Sequence, residues 1–268
     1  MRFDILFFNA AFFLYIISIT ANFIFAHNKN EKIILFGYVF VVIGFFFHSA
    51  SLLSRFFIAG HVPFSNLYES LVFFAWTLII IYFILSIKYR FEILGSFILP
   101  LVFLCLLYAG LSSKEINIAP PALESNWLKL HVAISFFGYA TFALAFSTGL
   151  MYLIQEHYFK AKRPAPFHNL LPSLEILDEL NNRLILIGFP LFTVSIGLGM
   201  FWANQVWGHY WNWAPQVIGA LITWLIYVIY LVVRHIFGWR GKKLAYLSII
   251  GFWTAIFTYL GIKGLHYF

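Results

Sequence analysis

Eight apolar runs, each about the length of one membrane crossing, leave this chain few ways to fold. They lie near residues 4–26, 33–54, 67–87, 92–111, 128–154, 183–202, 217–236 and 244–263. A bilayer core needs roughly 20 helical residues, and backbone amides in lipid must be satisfied within a helix or a closed barrel. The short alternating pattern of barrel strands does not occur in these runs. The expected fold is an all-α integral membrane protein, a bundle of about eight transmembrane helices forming a single polytopic domain over residues 1–268. Composition points the same way, with 62% hydrophobic and 10% charged residues against roughly 25% charged in a soluble domain. The first run follows Met1-Arg2 and is too long and too weakly basic at its start for a cleaved signal peptide, so it is expected to stay as a helix.

The formal net charge of +7 does not point to nucleic acid, because the cations are sorted by side. Loops after the first, third, fifth and seventh runs hold Lys29, Lys32, Lys88, Arg90, Lys160, Lys162, Arg163, Arg234, Arg240, Lys242 and Lys243, with Arg183 at the edge. The opposite side holds Arg2, Arg55, Lys114, Lys129 and Lys263. Lys and Arg accumulate on the cytoplasmic side of membrane proteins, so both termini are expected to face outward, toward a periplasm or its equivalent. The single cysteine, Cys105, lies inside an apolar run and cannot form an internal disulfide or a Cys-x-x-Cys pair.

Between the runs, Gly60-His-Val-Pro-Phe-Ser-Asn-Leu-Tyr-Glu-Ser70 reads as an outer turn feeding the third helix, with Pro63, Ser65 and Asn66 as turn and cap formers. The outer loop 112–127 contains Pro120-Pro121 and ends in Ser125-Asn126-Trp127, a helix start signal. The inner loop 155–182 opens basic, and its Leu174, Leu177 and Leu180 share a face, which suggests a short helix lying in the inner interface. No short internal repeat, low-complexity tract or second soluble domain stands out.

The segment Trp202-Ala-Asn-Gln-Val-Trp-Gly-His-Tyr-Trp-Asn-Trp213 lies between two long runs on the expected outer side. Trp202, Trp207, Trp211 and Trp213 either anchor the chain at the membrane–water boundary or form a flat aromatic shelf for a large planar ligand. Histidines sort by depth. His27, His157, His168 and His235 fall at the inner surface, and His61 and His209 in outer loops. His48 sits inside the second run, where an ionisable side chain is a functional candidate, or else a neutral imidazole hydrogen-bonded to a neighbouring helix. His131, at the outer end of the fifth run, and His266, just past the eighth, reach the same face as the tryptophans. Imidazole is a common axial ligand of haem iron, and two at one depth can clamp one iron from opposite sides of a porphyrin.

These residues resemble a known family. Trp202-Ala-Asn…Trp213-Ala-Pro215 followed by Ala220-Leu-Ile-Thr-Trp-Leu225 is similar to the tryptophan-rich "WWD" signature of the CcsA/ResC cytochrome c assembly family. The likeness extends through Gly60–Ser70, Glu124-Ser-Asn-Trp-Leu-Lys-Leu-His131, Leu177-Asp-Glu-Leu180, Gly238-Trp-Arg-Gly241 and Gly264-Leu-His266. It implies the haem-handling half of the system II machine in the inner (plasma) membrane, holding haem b as cargo at the periplasmic face for covalent attachment to apocytochrome c. It also implies His131 and His266 as axial ligands and 202–216 as the haem-binding segment, with His48 and His235 as further cofactor-binding candidates. Implied partners are a CcsB/ResB-type membrane protein, apocytochrome c, thiol-reducing proteins and membrane lipid. No catalytic residue is assigned; any synthase activity, joining haem through thioether bonds, belongs to a complex.

The sequence departs from the family pattern at Ala214, where the signature aspartate stands, and at Gln216-Val217, where many members have Lys-Glu. The family's intramembrane histidine on the seventh helix aligns with Val232, and His235, a turn further inward on nearly the same face, is the nearest substitute. These departures favour a second reading, a HemX-like non-catalytic relative that affects haem synthesis. A small-solute transporter is a third, weakened by little intramembrane charge and no evident pair of broken helices.

Overall fold

The computed structural model describes residues 2–89, 93–116, 125–161 and 170–261 of the 268. Among them are eight α-helices and no strand: α1 (Phe3–Asn28), α2 (Glu31–Ala59), α3 (Leu67–Tyr89), α4 (Leu94–Leu111), α5 (Asn126–Ala161), α6 (Leu174–Trp207), α7 (Pro215–His235) and α8 (Lys242–Gly261). Helices α1 through α7 are each long and apolar enough to cross a membrane. The protein is an all-α integral membrane protein, as the apolar runs predict.

Local chemistry sets the helix ends. Lys29 closes α1 in the left-handed region (φ 54°), and the Asn30 side chain then accepts from the Lys32 amide at 3.0 Å to start α2. The Ser173 hydroxyl accepts from the Ile176 amide at 3.4 Å at the start of α6. Gly208, at φ 76°, ends that helix with its amide donating to the Asn204 carbonyl at 2.9 Å, a conformation that a side chain would strain.

Two compact units contain these helices, one of Met1–Ala119 with Arg163–Leu171 carrying α1–α4, the other of Pro120–Lys162 with Pro172–Phe268 carrying α5–α8. In the first, three helices meet on one buried guanidinium. Arg55 donates to Glu69 at 2.8 Å, to Asp4 at 3.1 Å, and to the Lys114 and Glu115 carbonyls at 2.9 and 2.8 Å. Glu69 also accepts from the Ser65 amide at 2.9 Å and donates its own amide to Asn66. Arg2, just outside α1, bonds Asp4 at 2.9 Å, and this hydrogen bond holds the Arg2 guanidinium above its ordinary pKa. The turn residues Ser65 and Asn66 thus do what their chemistry predicts. Arg55, which a tally of loop charges places outside, is 2% exposed.

The second unit is organised by an antiparallel ladder between α5 and α6. Its rungs are one heptad apart: Asn181 donates to the Ala145 carbonyl at 2.6 Å, Gly138 faces Gly188 and Phe192, and His131 meets Ser195. Asn181 also donates to Ser248 of α8 at 3.0 Å and accepts from Tyr230 of α7 at 2.9 Å. Asp178 fastens α7 to the start of α8, accepting from Arg234 at 2.6 Å and from the Gly241 amide at 2.7 Å.

This ladder corrects one expectation. Leu174–Leu180 is not a separate interfacial helix but the opening of the 34-residue α6. The polar residues after Leu180 look like a loop in a hydropathy profile, but Asn181 makes its bonds to α5, α7 and α8, and the helix runs through. At 1.5 Å per residue α6 is about 50 Å long, well beyond a hydrocarbon core of roughly 30 Å.

Candidate functional site

His131 lies in the second turn of α5, and the α5–α6 register sets its ring against α6. Its Nδ1 stands 2.6 Å from the Ser195 carbonyl oxygen. A carbonyl can only accept, so Nδ1 carries the proton, and in the neutral ring Nε2 carries the lone pair. Among the described residues no hydrogen bond engages that second nitrogen. Metal-binding histidines commonly donate their other ring N–H to a carbonyl or carboxylate, which fixes tautomer and orientation. His131 has that arrangement.

Ser195, Gly199 and Trp202 fall at i, i+4 and i+7 on α6 and share one helix face. Trp202, 9% exposed, therefore lies on the face that carries the imidazole, at the start of the aromatic segment. The segment is not one flat shelf. Trp202 and Trp207 are still helical, five residues apart, and so project in different directions; their rings meet at 68° with centroids 5.0 Å apart. Trp211 and Trp213, in the loop, meet at 81° and 5.6 Å. Edge-to-face packing suits the ring quadrupoles. His209 lies nearly parallel to Trp207, at 27° and 6.3 Å. Trp213, 76% exposed, is the most open of the four. A second stack, Trp127 on Phe201 at 5.6 Å and 27°, ties the start of α5 to the end of α6.

Position 214, where the signature that the sequence resembles would place aspartate, is the N-cap of α7, with Pro215 opening the helix. Aspartate is a strong N-cap because its carboxylate accepts amides of the first turn. Ala214 offers no side-chain cap; its amide donates to Asn212 at 3.1 Å, and its carbonyl takes the Val217 amide at 2.9 Å. An aspartate at this position would cap the helix, a structural role distinct from orienting a ligand.

Two further candidate histidines, His48 and His235, fall elsewhere. His48, fully buried, donates from Nε2 to the Val72 carbonyl at 3.0 Å, and its Nδ1 takes the Tyr15 hydroxyl at 3.2 Å. Both ring nitrogens are engaged, so this arrangement matches the hydrogen-bonded core histidine weighed for that position. His235 is the exposed last residue of α7, and Val232, 36% exposed, lies one turn before it. His266 lies outside the described residues. Reading the sequence alone does not find Ser195 or Gly199, since a carbonyl and a missing side chain carry no compositional signal.

Residues 64–266 match the family model described as cytochrome C assembly protein. The cytochrome c biogenesis protein CcsA of Trieres chinensis is 36% identical over 248 residues, which is 80% of each chain. The CcsA protein of Marchantia polymorpha is 35% identical over 286 residues, 90% of this chain and 89% of that one. That of Chlamydomonas reinhardtii is 39% identical over 221 residues, and the match spans 61% of its length. Among solved structures, Cytochrome c Heme Lyase CcmF superposes with a TM-score of 0.71 at 14% identity, covering 97% of this chain and 47% of that chain. The fold is thus shared with just under half of CcmF. This chain belongs to the cytochrome c assembly protein family, among its CcsA members, and its role lies in cytochrome c assembly.

Proposed function

We propose that the chain holds haem b, as cargo, at the outer membrane face for covalent attachment to apocytochrome c in a system II machine. His131 Nε2 supplies one axial ligand and His266 the other, and the tryptophans of 202–216 border the macrocycle. The observation that carries this reading is the 2.6 Å bond from His131 Nδ1 to the Ser195 carbonyl, which leaves the Nε2 lone pair available to a metal. Each acceptor thiol adds its S–H across a haem vinyl C=C, the sulfur to one carbon and the hydrogen to the other, so no group leaves. The protein contributes orientation rather than acid–base catalysis. The histidine of the acceptor Cys-x-x-Cys-His motif then displaces one clamp and releases the product.

The excess of Lys and Arg in alternate loops supports an orientation with the aromatic segment and both termini outward, in an inner (plasma) membrane or its equivalent. A CcsB/ResB-type membrane protein and thiol-reducing proteins complete the pathway in this reading. The direct test is a reduced-minus-oxidised spectrum of the purified protein beside His131→Ala and His266→Ala. A low-spin b-type spectrum in the wild type that each variant loses or alters supports the clamp; identical spectra in all three overturn it.

Val232 gives the second reading its observation. With no imidazole at that point of α7 and His235 at the helix end, the chain suits a HemX-like relative that affects haem synthesis without attaching haem. Cytochrome maturation in a strain lacking the endogenous CcsA-type protein separates the two: restored c-type cytochromes favour attachment, and their absence beside intact haem binding favours the relative.

A further inference from the structure

Gly199 lies within α6, far from either end, and its backbone is helical without a positive φ. Glycine is a poorer helix former than alanine, so its place here needs another cause. A Cβ built on Gly199 would stand 2.9 Å from both Cε1 and Nδ1 of His131, closer than real Cβ contacts allow. The Ser195 carbonyl that receives the His131 proton lies one helical turn away, on the face that Gly199 leaves bare. Gly197, two residues earlier on the same helix, has nothing within 4 Å of its Cβ position.

The geometry points to Gly199 as a positioning residue for His131: its missing side chain admits the imidazole to the Ser195 carbonyl, and that bond holds the ring with Nε2 free and aimed as the coordinating atom. The tautomer part of this inference stands without any ligand; its consequence for haem rests on the reading above. A methyl group at position 199 pushes the ring off the carbonyl, Nδ1 loses its acceptor among the described residues, and Nε2 no longer has a fixed direction. The same methyl at position 197 meets open space. The two glycines form an internal control on one helix.

The test uses the full chain in detergent or lipid. First, ¹⁵N spectra of histidine-labelled wild type, with the His131 signals identified by their loss in His131→Gly, report which ring nitrogen is protonated. The expected result is a protonated Nδ1 and an unprotonated Nε2. A proton on Nε2 in the wild type overturns the inference whatever the variants do. Second, Gly199→Ala is expected to shift the His131 signals toward a mixture of tautomers, whereas Gly197→Ala leaves them unchanged. Wild-type signals in Gly199→Ala overturn the inference.

Third, haem-loaded Gly199→Ala is expected to lose the low-spin spectrum as His131→Gly does, and added imidazole restores it in both. Gly197→Ala keeps the wild-type spectrum without imidazole. If His131→Gly itself retains the wild-type haem spectrum, the ligand reading fails while the ¹⁵N result still judges the positioning. If His131→Gly changes and Gly199→Ala does not, the positioning inference alone fails.

Discussion

His48, buried, and His131, half-buried, both donate a ring proton to a backbone carbonyl, yet they use opposite nitrogens. His48 gives its Nε2 proton to Val72 and closes Nδ1 with the Tyr15 hydroxyl. His131 gives its Nδ1 proton to Ser195 and has no second partner among the described residues. The first imidazole is complete and serves the packing of α1, α2 and α3. The second is held by one edge with the other edge available. Residue type does not separate the two; the number of engaged ring nitrogens does, and it makes His131 the candidate ligand.

The sharpest way to break this contrast is to remove each ring. His131→Ala is expected to abolish the low-spin haem spectrum and cytochrome maturation while the protein stays folded. His48→Ala is expected to leave the spectrum of the folded fraction unchanged. It destabilises by about 1–3 kcal/mol, because the buried Tyr15 hydroxyl is left without an acceptor and the Val72 carbonyl keeps only its helical bond. Thermal unfolding of the two variants in the same detergent checks the pair. Reversal of the two phenotypes, with haem lost on changing His48, would remove the basis for choosing His131.

The buried charges extend the comparison to the rest of each unit. Arg55→Met leaves the buried Asp4 and Glu69, 0% and 1% exposed, with Arg2 and the Ser65 amide as their remaining partners, and a broken buried pair costs about 3–5 kcal/mol. Low yield of folded protein is the expected outcome. Arg234→Met in the second unit strands Asp178, whose side chain is 11% exposed. Water and the Gly241 amide still serve that carboxylate, so the loss is expected to be smaller than for Arg55. Equal losses would mean that Asp178 is as poorly solvated as Asp4.

A milder change sharpens the reading of the aromatic segment. Ala214→Asp restores an N-cap to α7 and is expected to add about 0.5–2 kcal/mol, measured as a rise in the unfolding midpoint. If the family aspartate acts only as a cap, haem affinity stays the same; a gain in affinity beyond the stability gain assigns it a part in holding the ligand. Smallest of all, Gly208→Ala places a side chain at φ 76° and is expected to cost about 1 kcal/mol, with the loop that carries Trp211 and Trp213 as the region affected.

Much of this architecture was legible in the amino-acid order. The apolar runs located the eight described helices, seven of them long and apolar enough to cross a membrane, because partition into lipid is a sum over neighbouring residues and needs no knowledge of the rest of the chain. The cap residue Asn66 acts within three residues of itself, accepting from the Glu69 amide at the start of α3. His131 stood out by depth. The misread stretch was 174–182, where hydropathy measures exposure to lipid and cannot register polar groups satisfied by other helices, as Asn181 and Asp178 are.

The chemistry of the site came from elsewhere. Which nitrogen of His131 is free depends on a carbonyl 64 residues away and on a glycine that lets the ring approach it. Likewise Arg55 reads as a surface cation until α1, α3 and the 113–116 segment converge on it. Helix formation and membrane partition are local or additive, so they can be read along the chain. A tautomer and a buried ion cluster are set by distances between residues far apart in sequence, and only packing brings those residues together.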